Sequence, residues 1–282
     1  GAEMRVCDRI GDVNGDGVDD VLVGAHYENS GNLLRNGRVA VYSGAAPHAL
    51  ALVFDGVANN EELGYRVAGA GDVNGDGWPD ILATSRGVSP RVVHVFDTFG
   101  ATLLTLSAPT GSVSFGEALA GVGDVDGDGR GDFAVSDPGF NGGEGIVYLY
   151  SRRPNGTLRL ISTLPATGAE PSGNFGASVA SVGRWDSQTG AFVDADFNGD
   201  GLDDVLVGAT REYFSRGRVW VYSGVCLEAQ RYCTSTLNSS GQAAEIGYQG
   251  SLSVSDNNLV LTASSCPPNK SGLFYYGPMK VQ

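Results

Sequence analysis

The sequence has few of the residues and motifs that usually perform catalysis. Only three histidines occur, His26, His48 and His94, and they lie far apart along the chain. It contains no HExxH, GxSxG or P-loop pattern, and no single segment holds a nucleophile, a base and an acid. His94 alternates with apolar neighbours, so we interpret it as a strand residue. We therefore do not expect an enzyme.

Positive charge and long apolar runs are also scarce. The 18 lysines and arginines are outnumbered by 32 acidic residues, which gives a formal net charge of -14. This balance argues against nucleic acid as a partner. No apolar run is long enough to cross a membrane, so membrane insertion is not expected. Because no signal peptide is recognisable, we expect a soluble protein or the mature form of a secreted one.

No segment has the apolar spacing of a long amphipathic helix. The 43 glycines instead suit many short strands that are joined by tight turns. The sequence therefore predicts an all-β fold.

The four cysteines have no CxxC spacing and no nearby histidine, which argues against a zinc site. The spacing favours a disulfide between Cys226 and Cys233 across a short polar stretch, and pairing of Cys7 with Cys266 then follows by elimination. Reduced, buried cysteines are the alternative. Three N-x-S/T sequons would carry glycans only in a eukaryotic secretory pathway. They are Asn155, Asn238 and Asn269.

An acidic segment of nine residues recurs four times, each time directly before an apolar strand. The copies begin at Asp12, Asp72, Asp124 and Asp196, and we name them loops 1 to 4. Within each repeat, a strand of small residues precedes the acidic segment. An extra segment that begins at Arg184 stands before loop 4. A variable loop, a third strand and a fourth strand follow. Four-stranded antiparallel units that recur in this way predict the blades of a β-propeller.

Side-chain oxygens recur at positions 1, 3, 5 and 9 of every loop. Position 6 is always glycine, as a sharp turn with positive φ requires. Position 7 varies freely, as expected where only its backbone carbonyl is used. Positions 1, 3, 5, 7 and 9 are the predicted cation ligands. They are Asp12, Asn14, Asp16, Val18 and Asp20 in loop 1; Asp72, Asn74, Asp76, Trp78 and Asp80 in loop 2; Asp124, Asp126, Asp128, Arg130 and Asp132 in loop 3; and Asp196, Asn198, Asp200, Leu202 and Asp204 in loop 4.

The cation predicted from these ligands is Ca²⁺, because this ion takes six to eight oxygens at about 2.3–2.6 Å in a tolerant geometry. Mg²⁺ would take fewer protein ligands and more water. An EF-hand is excluded, because position 12 is alanine or valine in every copy and an EF-hand needs glutamate there. Ordinary Asp/Asn/Gly turns are the alternative. However, four such clusters in register would repel themselves without a cation. We therefore predict four Ca²⁺ sites.

The repeat resembles the FG-GAP repeat of integrin α-subunit β-propellers, and the resemblance spans almost the whole chain. The pairs that match the FG element, with phenylalanine or another apolar residue, are Leu63-Gly64, Phe115-Gly116, Phe175-Gly176 and Ile246-Gly247. Gly24-Ala25 and Gly208-Ala209 match the GA of GAP. The resemblance implies that the calcium loops lie on one face of the propeller and that ligands are met on the opposite face.

We predict a single propeller domain over residues 1–282 with about five blades. Their approximate ranges are 1–60, 61–112, 113–172, 173–243 and 244–282. The fifth keeps its strands between Ile246 and Gly277 but loses the acidic positions. Propellers of this family usually have seven blades. The chain therefore either closes a ring of five or is part of a larger propeller or assembly, and open blade edges would pair with another chain.

The resemblance implies an extracellular or cell-surface module that binds calcium and serves adhesion or recognition of a protein or glycan. One alternative is a structural subunit of an extracellular filament or coat, assembled from further copies or propeller domains. Another is an accessory domain of a secreted enzyme. An Arg-Gly-Asp triplet, Arg130–Asp132, is not expected to be displayed, because Asp132 is a predicted ligand. Aromatic and arginine residues of the variable loops either recognise a ligand or pack locally. They are Tyr27, Arg35, Phe140, Arg211, Tyr213 and Phe214.

Overall fold

The computed structural model of the protein describes residues 6–165, 173–186, 191–193, 195–210, 217–224, 245–249 and 260–264. Within these ranges the chain consists of β-strands, turns and one short helical turn, α1 (Phe140–Gly143). The predicted all-β class is confirmed. No helix in the described ranges is long and apolar enough to cross a membrane.

Nineteen strands lie in the described ranges. They are β1 (Val6–Gly11), β2 (Asp20–Ala25), β3 (Arg38–Tyr42), β4 (Leu50–Asp55), β5 (Leu63–Gly71), β6 (Asp80–Ser85), β7 (Val92–Phe96), β8 (Thr102–Ser107), β9 (Leu119–Gly123), β10 (Asp132–Asp137), β11 (Ile146–Arg152), β12 (Leu158–Pro165), β13 (Phe175–Ser181), β14 (Arg184–Asp186), β15 (Ala191–Val193), β16 (Val205–Ala209), β17 (Arg218–Tyr222), β18 (Glu245–Gln249) and β19 (Val260–Ser264).

Consecutive strands pair antiparallel, so each repeat forms its own sheet. Three sheets have four strands each, in the orders β1-β2-β3-β4, β5-β6-β7-β8 and β9-β10-β11-β12. The fourth contains β13-β16-β17, and the extra segment from Arg184 forms the β14-β15 hairpin. The β18-β19 pair lies within the predicted fifth unit, whose other residues are outside the described ranges.

The first strands of the four sheets lie around a common cavity. β5 contacts both β1 and β9, and β9 also contacts β13. Residues of all four strands line a cavity of about 430 Å³. Small residues permit this approach, since a Cβ on Gly121 of β9 would lie 2.6 Å from backbone atoms of Ala70 on β5. Sheets that surround one axis with their first strands innermost are blades of a β-propeller.

The apolar cores lie between the blades. Leu82 belongs to the core that the second and third blades share, whereas its neighbour Ile81 belongs to the core between the first and second blades. Alternate side chains of a strand point to opposite faces of its sheet. Because both faces are covered, β6 and β10 are buried along their whole length.

The apolar-glycine pair that begins each repeat fits against the preceding blade. Phe175 is fully buried in the core shared with the third blade, together with Val147. Gly116 has a φ of +76°, and a Cβ there would lie 2.6 Å from Oγ1 of Thr84 and 2.9 Å from Cγ2 of Val93. Glycine is therefore required both by the backbone conformation and by the space available.

Only some of the residues with predicted disulfides or glycans lie in the described ranges. Cys7 is exposed on β1, and Asn155 is exposed in the turn between β11 and β12. The remaining cysteines and sequons lie outside the described ranges, so both disulfides and all glycans stay predictions. These residues are Cys226, Cys233, Cys266, Asn238 and Asn269.

The replacement Phe175→Ala should lower the free energy of unfolding by about 3–5 kcal/mol, because it leaves a cavity between the third and fourth blades. Urea unfolding followed by tryptophan fluorescence measures this change. Phe99→Ala is the matched control, since Phe99 is 69% exposed and its removal should cost at most about 0.5 kcal/mol. Equal effects of the two replacements would contradict the role given to Phe175.

Candidate functional site

The four acidic loops lie at equivalent places, at one end of the blades. Loops 1, 2 and 3 join the first strand of a sheet to its second strand, and loop 4 joins β15 to β16. Because neighbouring strands run in opposite directions, the connections between second and third strands lie at the other end. The repeat therefore separates the acidic loops from the variable loops.

The position-1 carboxylate organises the turn of each loop. In loop 1, Oδ1 of Asp12 accepts hydrogen bonds from the N–H groups of Gly15 at 2.7 Å and Asp16 at 3.1 Å, and Oδ2 accepts one from Gly17 at 2.7 Å. The other three loops repeat these bonds at 2.6–3.2 Å. The position-6 glycines have φ between +83° and +89°, as predicted. The four loops thus share one backbone conformation.

Positions 3 and 5 accept further hydrogen bonds inside the loop. In loop 2, Oδ1 of Asn74 accepts the N–H of Asp76 at 2.8 Å, and Oδ1 of Asp76 accepts the N–H of Trp78 at 2.9 Å. In loop 1, the hydroxyl of Ser43, just after the third strand, donates to Oδ2 of Asp16 at 2.9 Å. A serine makes the same contact with loops 3 and 4. The sequence analysis did not predict this contact between a serine and the position-5 carboxylate.

The position-9 aspartates are fully buried. They are Asp20, Asp80, Asp132 and Asp204. One oxygen of each accepts the N–H at position 2 of its loop, at 2.8–3.0 Å. The other oxygen of Asp132, Oδ1, is buried and has no hydrogen-bond partner among the described residues. A buried carboxylate oxygen without a donor destabilises the fold, and a bound cation would remove that cost. The donor set of the loop therefore fits a hard cation.

The position-9 carboxyls of loops 2 and 3 hold protons unusually tightly. Burial raises the pKa of the Asp80 carboxyl to about 8, and the charges of Asp76 and Asp72 act in the same direction. Burial also raises the pKa of Asp132 well above its ordinary range, and the charge of Asp124 adds to this effect. Without a compensating positive charge, these two buried carboxyls thus disfavour their ionised state.

Loop 3 has a fourth carboxylate among its predicted ligand positions, because position 3 is Asp126 in place of asparagine. Carboxylate oxygens of Asp124, Asp126 and Asp128 lie within 4.8 Å of one another. Arg159, on β12, forms an ion pair with Asp126, and its Nη2 lies 3.8 Å from Oδ2 of Asp128. The arginine therefore offsets the additional carboxylate at position 3 of loop 3.

The side chain at position 7 contacts the preceding loop, although the sequence suggests that this position is unconstrained. Trp78, Arg130 and Leu202 each lie against the position-4 glycine of the loop before their own. A Cβ on Gly75, for example, would lie 2.9 Å from Nη1 of Arg130. The same nitrogen donates to the backbone carbonyl of Asn74 at 2.6 Å. Position 7 thus links neighbouring blades in addition to offering its own carbonyl.

Position 8 adds a backbone hydrogen bond between successive loops. The N–H of Gly131 donates to the carbonyl of Asp72 at 2.8 Å, and the N–H of Asp203 donates to the carbonyl of Asp124 at 3.2 Å. Pro79 stands at this position in loop 2 and has no N–H to donate. The link between loops 1 and 2 therefore lacks this bond.

Two predictions about individual residues agree with the structure. Asp132 of the Arg-Gly-Asp triplet is fully buried, and Arg130 is bonded to loop 2, so the triplet is not displayed. His94 lies on β7, with its ring 5.4 Å from that of Phe96 between centroids. Burial lowers the pKa of His94, against the opposite effect of Glu61. His94 is therefore a strand residue, as the sequence indicates.

Three of the six predicted recognition residues lie in the described ranges. The guanidinium carbon of Arg35 lies 4.4 Å from the centroid of the Tyr27 ring, at the end opposite the acidic loops. Phe140 lies in α1 between β10 and β11 and is half-exposed. The structure thus brings Tyr27 and Arg35 together. The residues outside the described ranges are Arg211, Tyr213 and Phe214.

The four acidic loops and their flanking strands coincide with a known repeat. The family model for the FG-GAP repeat matches residues 10–42, 63–96, 115–150 and 193–222. Each match contains one acidic loop and extends into the third strand of its blade. This is an FG-GAP repeat protein. The resemblance inferred from Phe115-Gly116 and Phe175-Gly176 is therefore confirmed.

The FG-GAP blades are similar to parts of integrin alpha subunits. The chain is 30% identical to integrin alpha-V of Gallus gallus over 220 residues, which is 71% of this chain and 19% of that relative. Integrin alpha-PS2 of Drosophila melanogaster is 34% identical over 169 residues, 52% of this chain and 11% of the relative. Integrin alpha-4 of Xenopus laevis is 27% identical over 199 residues, which is 70% of this chain and 13% of that relative. The chain spans less than a fifth of the length of these relatives.

In the presence of a chelator, the FG-GAP blades should become less stable as the pH rises from about 6.5 to about 8. The raised pKa of Asp80 means that the folded protein binds this proton more tightly than the unfolded chain, whose carboxyl has a pKa of about 3.9. The free energy of unfolding therefore decreases as the pH rises towards the folded-state pKa, by about 2 kcal/mol between about pH 6.5 and pH 8 for one such group.

Melting temperatures at a series of pH values measure this effect, and Asp80→Asn should give a shallower slope. Saturating Ca²⁺ should flatten the pH dependence in this window, because the cation replaces the proton. A melting temperature in chelator that stays constant or increases with pH would contradict the prediction.

Loss of the Arg159 guanidinium should destabilise loop 3. In chelator, Arg159→Gln should cost about 3 kcal/mol, because the Asp126 side chain is fully buried and would lose its ion-pair partner. Adding Asp126→Asn should recover most of this loss, because loop 3 then has the asparagine of the other loops. Urea unfolding of the single and double variants measures both values. A double variant as unstable as the single one would count against charge compensation.

Proposed function

We propose that the protein is an extracellular, calcium-binding FG-GAP β-propeller that serves as a non-catalytic adhesion or recognition module for a protein or glycan. The observation that carries the proposal is the strict repetition, in four FG-GAP blades, of one loop conformation that contains three or four carboxylates at the ligand positions. Similarity to integrin alpha subunits supports the adhesion role.

The ligands of each proposed calcium ion are the side chains at positions 1, 3, 5 and 9 and the carbonyl at position 7. Three of these side chains, or four in loop 3, are carboxylates, and oxygen-rich donor sets of this kind suit Ca²⁺ better than transition metals. The bound ion supplies positive charge at the centre of the loop. Backbone N–H groups donate to both oxygens of Asp72 in loop 2, so that this carboxylate is oriented before the ion binds.

The proposed role of calcium is structural. Each loop fixes the hairpin between the first two strands of its blade, and those strands carry the core on both faces. A ligand that binds only the folded state stabilises that state in proportion to its concentration relative to Kd. We propose that calcium thereby keeps the blades in register and the loops at the opposite end in a constant arrangement for recognition.

Calcium binding should have a stoichiometry of four, and Asp76→Ala should reduce it to three. Asp76 is an exposed position-5 ligand of loop 2, so its replacement removes a ligand with little change in the core. Equilibrium dialysis with metal analysis measures the stoichiometry, and Glu144→Gln, an exposed acidic residue outside the loops, is the control. An unchanged stoichiometry in the Asp76 variant, or a melting temperature that excess chelator does not lower, would refute the calcium sites.

The recognition role is tested with arrays of extracellular proteins and of glycans. We expect a ligand that is captured in calcium and released by chelator, at a temperature where the metal-free protein is still folded. Assays with hydrolase and lyase substrates should give no turnover. Turnover, or the absence of any ligand on both arrays, would contradict the proposed module.

A further inference from the structure

A group of arginines surrounds one tyrosine at the end of the blades opposite the acidic loops. The guanidinium carbons of Arg66, Arg86 and Arg91 lie 4.5, 4.2 and 5.9 Å from the centroid of the Tyr65 ring. Cations at these distances are attracted by the face of an aromatic ring. We name these four residues the Arg/Tyr cluster. Such a concentration of positive charge contrasts with the net charge of -14 of the whole chain.

Glu117, from the third blade, holds one side of the cluster. Its Oε1 accepts hydrogen bonds from the Tyr65 hydroxyl and from Nη2 of Arg66, both at 2.8 Å. Its Oε2 accepts one from Nη1 of Arg91 at 3.3 Å. Since this glutamate bonds both arginines, the orientation of their guanidinium groups is set before any ligand arrives.

Glu62 holds the other side in the same way. Its Oε2 accepts the Nε–H of Arg86 at 3.0 Å, and its Oε1 accepts from Nη2 of Arg35 at 2.5 Å. The side chain of Glu62 is only 8% exposed, whereas that of Arg86 is 29% exposed. The two glutamates together contact four arginines, so positive charge remains on the solvent side. Pre-oriented side chains lose less entropy when a ligand binds.

Arg91 has an unused pair of donors. Its Nη1 bonds Glu117, while its Nε and Nη2 donate to no partner among the described residues. These two N–H groups form the planar edge of a guanidinium group that binds a carboxylate through two parallel hydrogen bonds. The Arg91 side chain is 24% exposed and lines an open groove.

Arg86 and Arg91 lie at the wall of an open groove of about 580 Å³. The groove runs between the β6-β7 connection and the β8-β9 connection, and Val88, Pro109 and Val113 give it apolar walls. In addition to Glu62 and Glu117, which bond these arginines, Asp137 lies against the wall, but it is fully buried and accepts hydrogen bonds from serine hydroxyls and backbone N–H groups. The groove thus combines apolar walls with partly exposed guanidinium groups.

We propose that this groove binds an acidic segment of an extended polypeptide. An aspartate or glutamate side chain of that segment accepts two parallel hydrogen bonds from the Nε and Nη2 edge of Arg91. The inference rests on the proposed recognition function and names the class of its ligand. The apolar walls suit the residues that flank the acidic one. A glycan with uronate groups offers the same carboxylate, but no aromatic residue of the described ranges lines the groove to stack against its sugar rings. In this cluster, the arginines cover Tyr65.

The test uses two fluorescent decapeptides that differ only in having aspartate or asparagine at alternate positions, with valine and serine between them. Anisotropy titrations in saturating calcium should show at least tenfold tighter binding of the aspartate peptide, and this preference should weaken with added salt. Arg91→Gln should reduce its affinity at least tenfold, and Arg91→Lys should recover only part. Arg153→Gln, in the exposed turn near loop 3, is the matched control and should change nothing.

A second pair of variants avoids the contact between Arg91 and Glu117. Val113 is 65% exposed at the groove, so Val113→Glu should weaken binding of the aspartate peptide and Val113→Lys should strengthen it. Equal affinity for both peptides, or unchanged affinity in the Arg91→Gln and Val113→Glu variants, would overturn the inference. So would binding of an oligogalacturonate probe in place of the peptide.

The two proposals can fail separately. A ligand from the arrays that binds in calcium with the same affinity to wild type and Arg91→Gln would support the recognition function and overturn the acidic-peptide groove. Binding of the aspartate peptide that depends on Arg91, in a protein that captures nothing from the arrays, would support the groove and contradict the broader function.

Discussion

The close approach of like charges at one end of every FG-GAP blade is the constraint on which the rest of the structure depends. Each loop brings three or four carboxylates together, and one of them, as with Asp80, is fully buried. Backbone N–H groups satisfy part of this charge, and in loop 3 Arg159 offsets one carboxylate. A cation at the proposed sites or, at lower pH, protons would neutralise the remainder. The hairpin that begins each blade is therefore sensitive to its ionic surroundings.

Apolar packing complements this arrangement because it lies between the blades and not within them. Ile81 and Leu82 are adjacent in sequence but belong to different cores, so a single blade has no complete core of its own. Phe175 closes the junction with the preceding blade. Stability therefore comes from two kinds of contact, apolar ones along the blade faces and polar ones at the loop end.

The repeat itself was predictable, because both the loops and the FG pairs recur as local patterns of adjacent residues. The contacts between repeats were not, since they depend on how neighbouring blades are aligned. Position 7 looks unconstrained in the sequence, because its residues Trp78, Arg130 and Leu202 have no chemical property in common. The structure shows that each of them contacts the position-4 glycine of the preceding loop. Arg159 lies on another strand of the same blade, and nothing in its local sequence identifies it as the partner of Asp126.

The contacts between loops also have a direction along the chain. In each case the later loop reaches back to the turn of the earlier one, as Arg130 and Gly131 of loop 3 do to loop 2. During synthesis on a ribosome, which proceeds from the N-terminus, each of the first three acidic turns therefore emerges before the residues of the next loop that contact it. A nascent blade gains its full support only after its successor has been translated and has folded beside it.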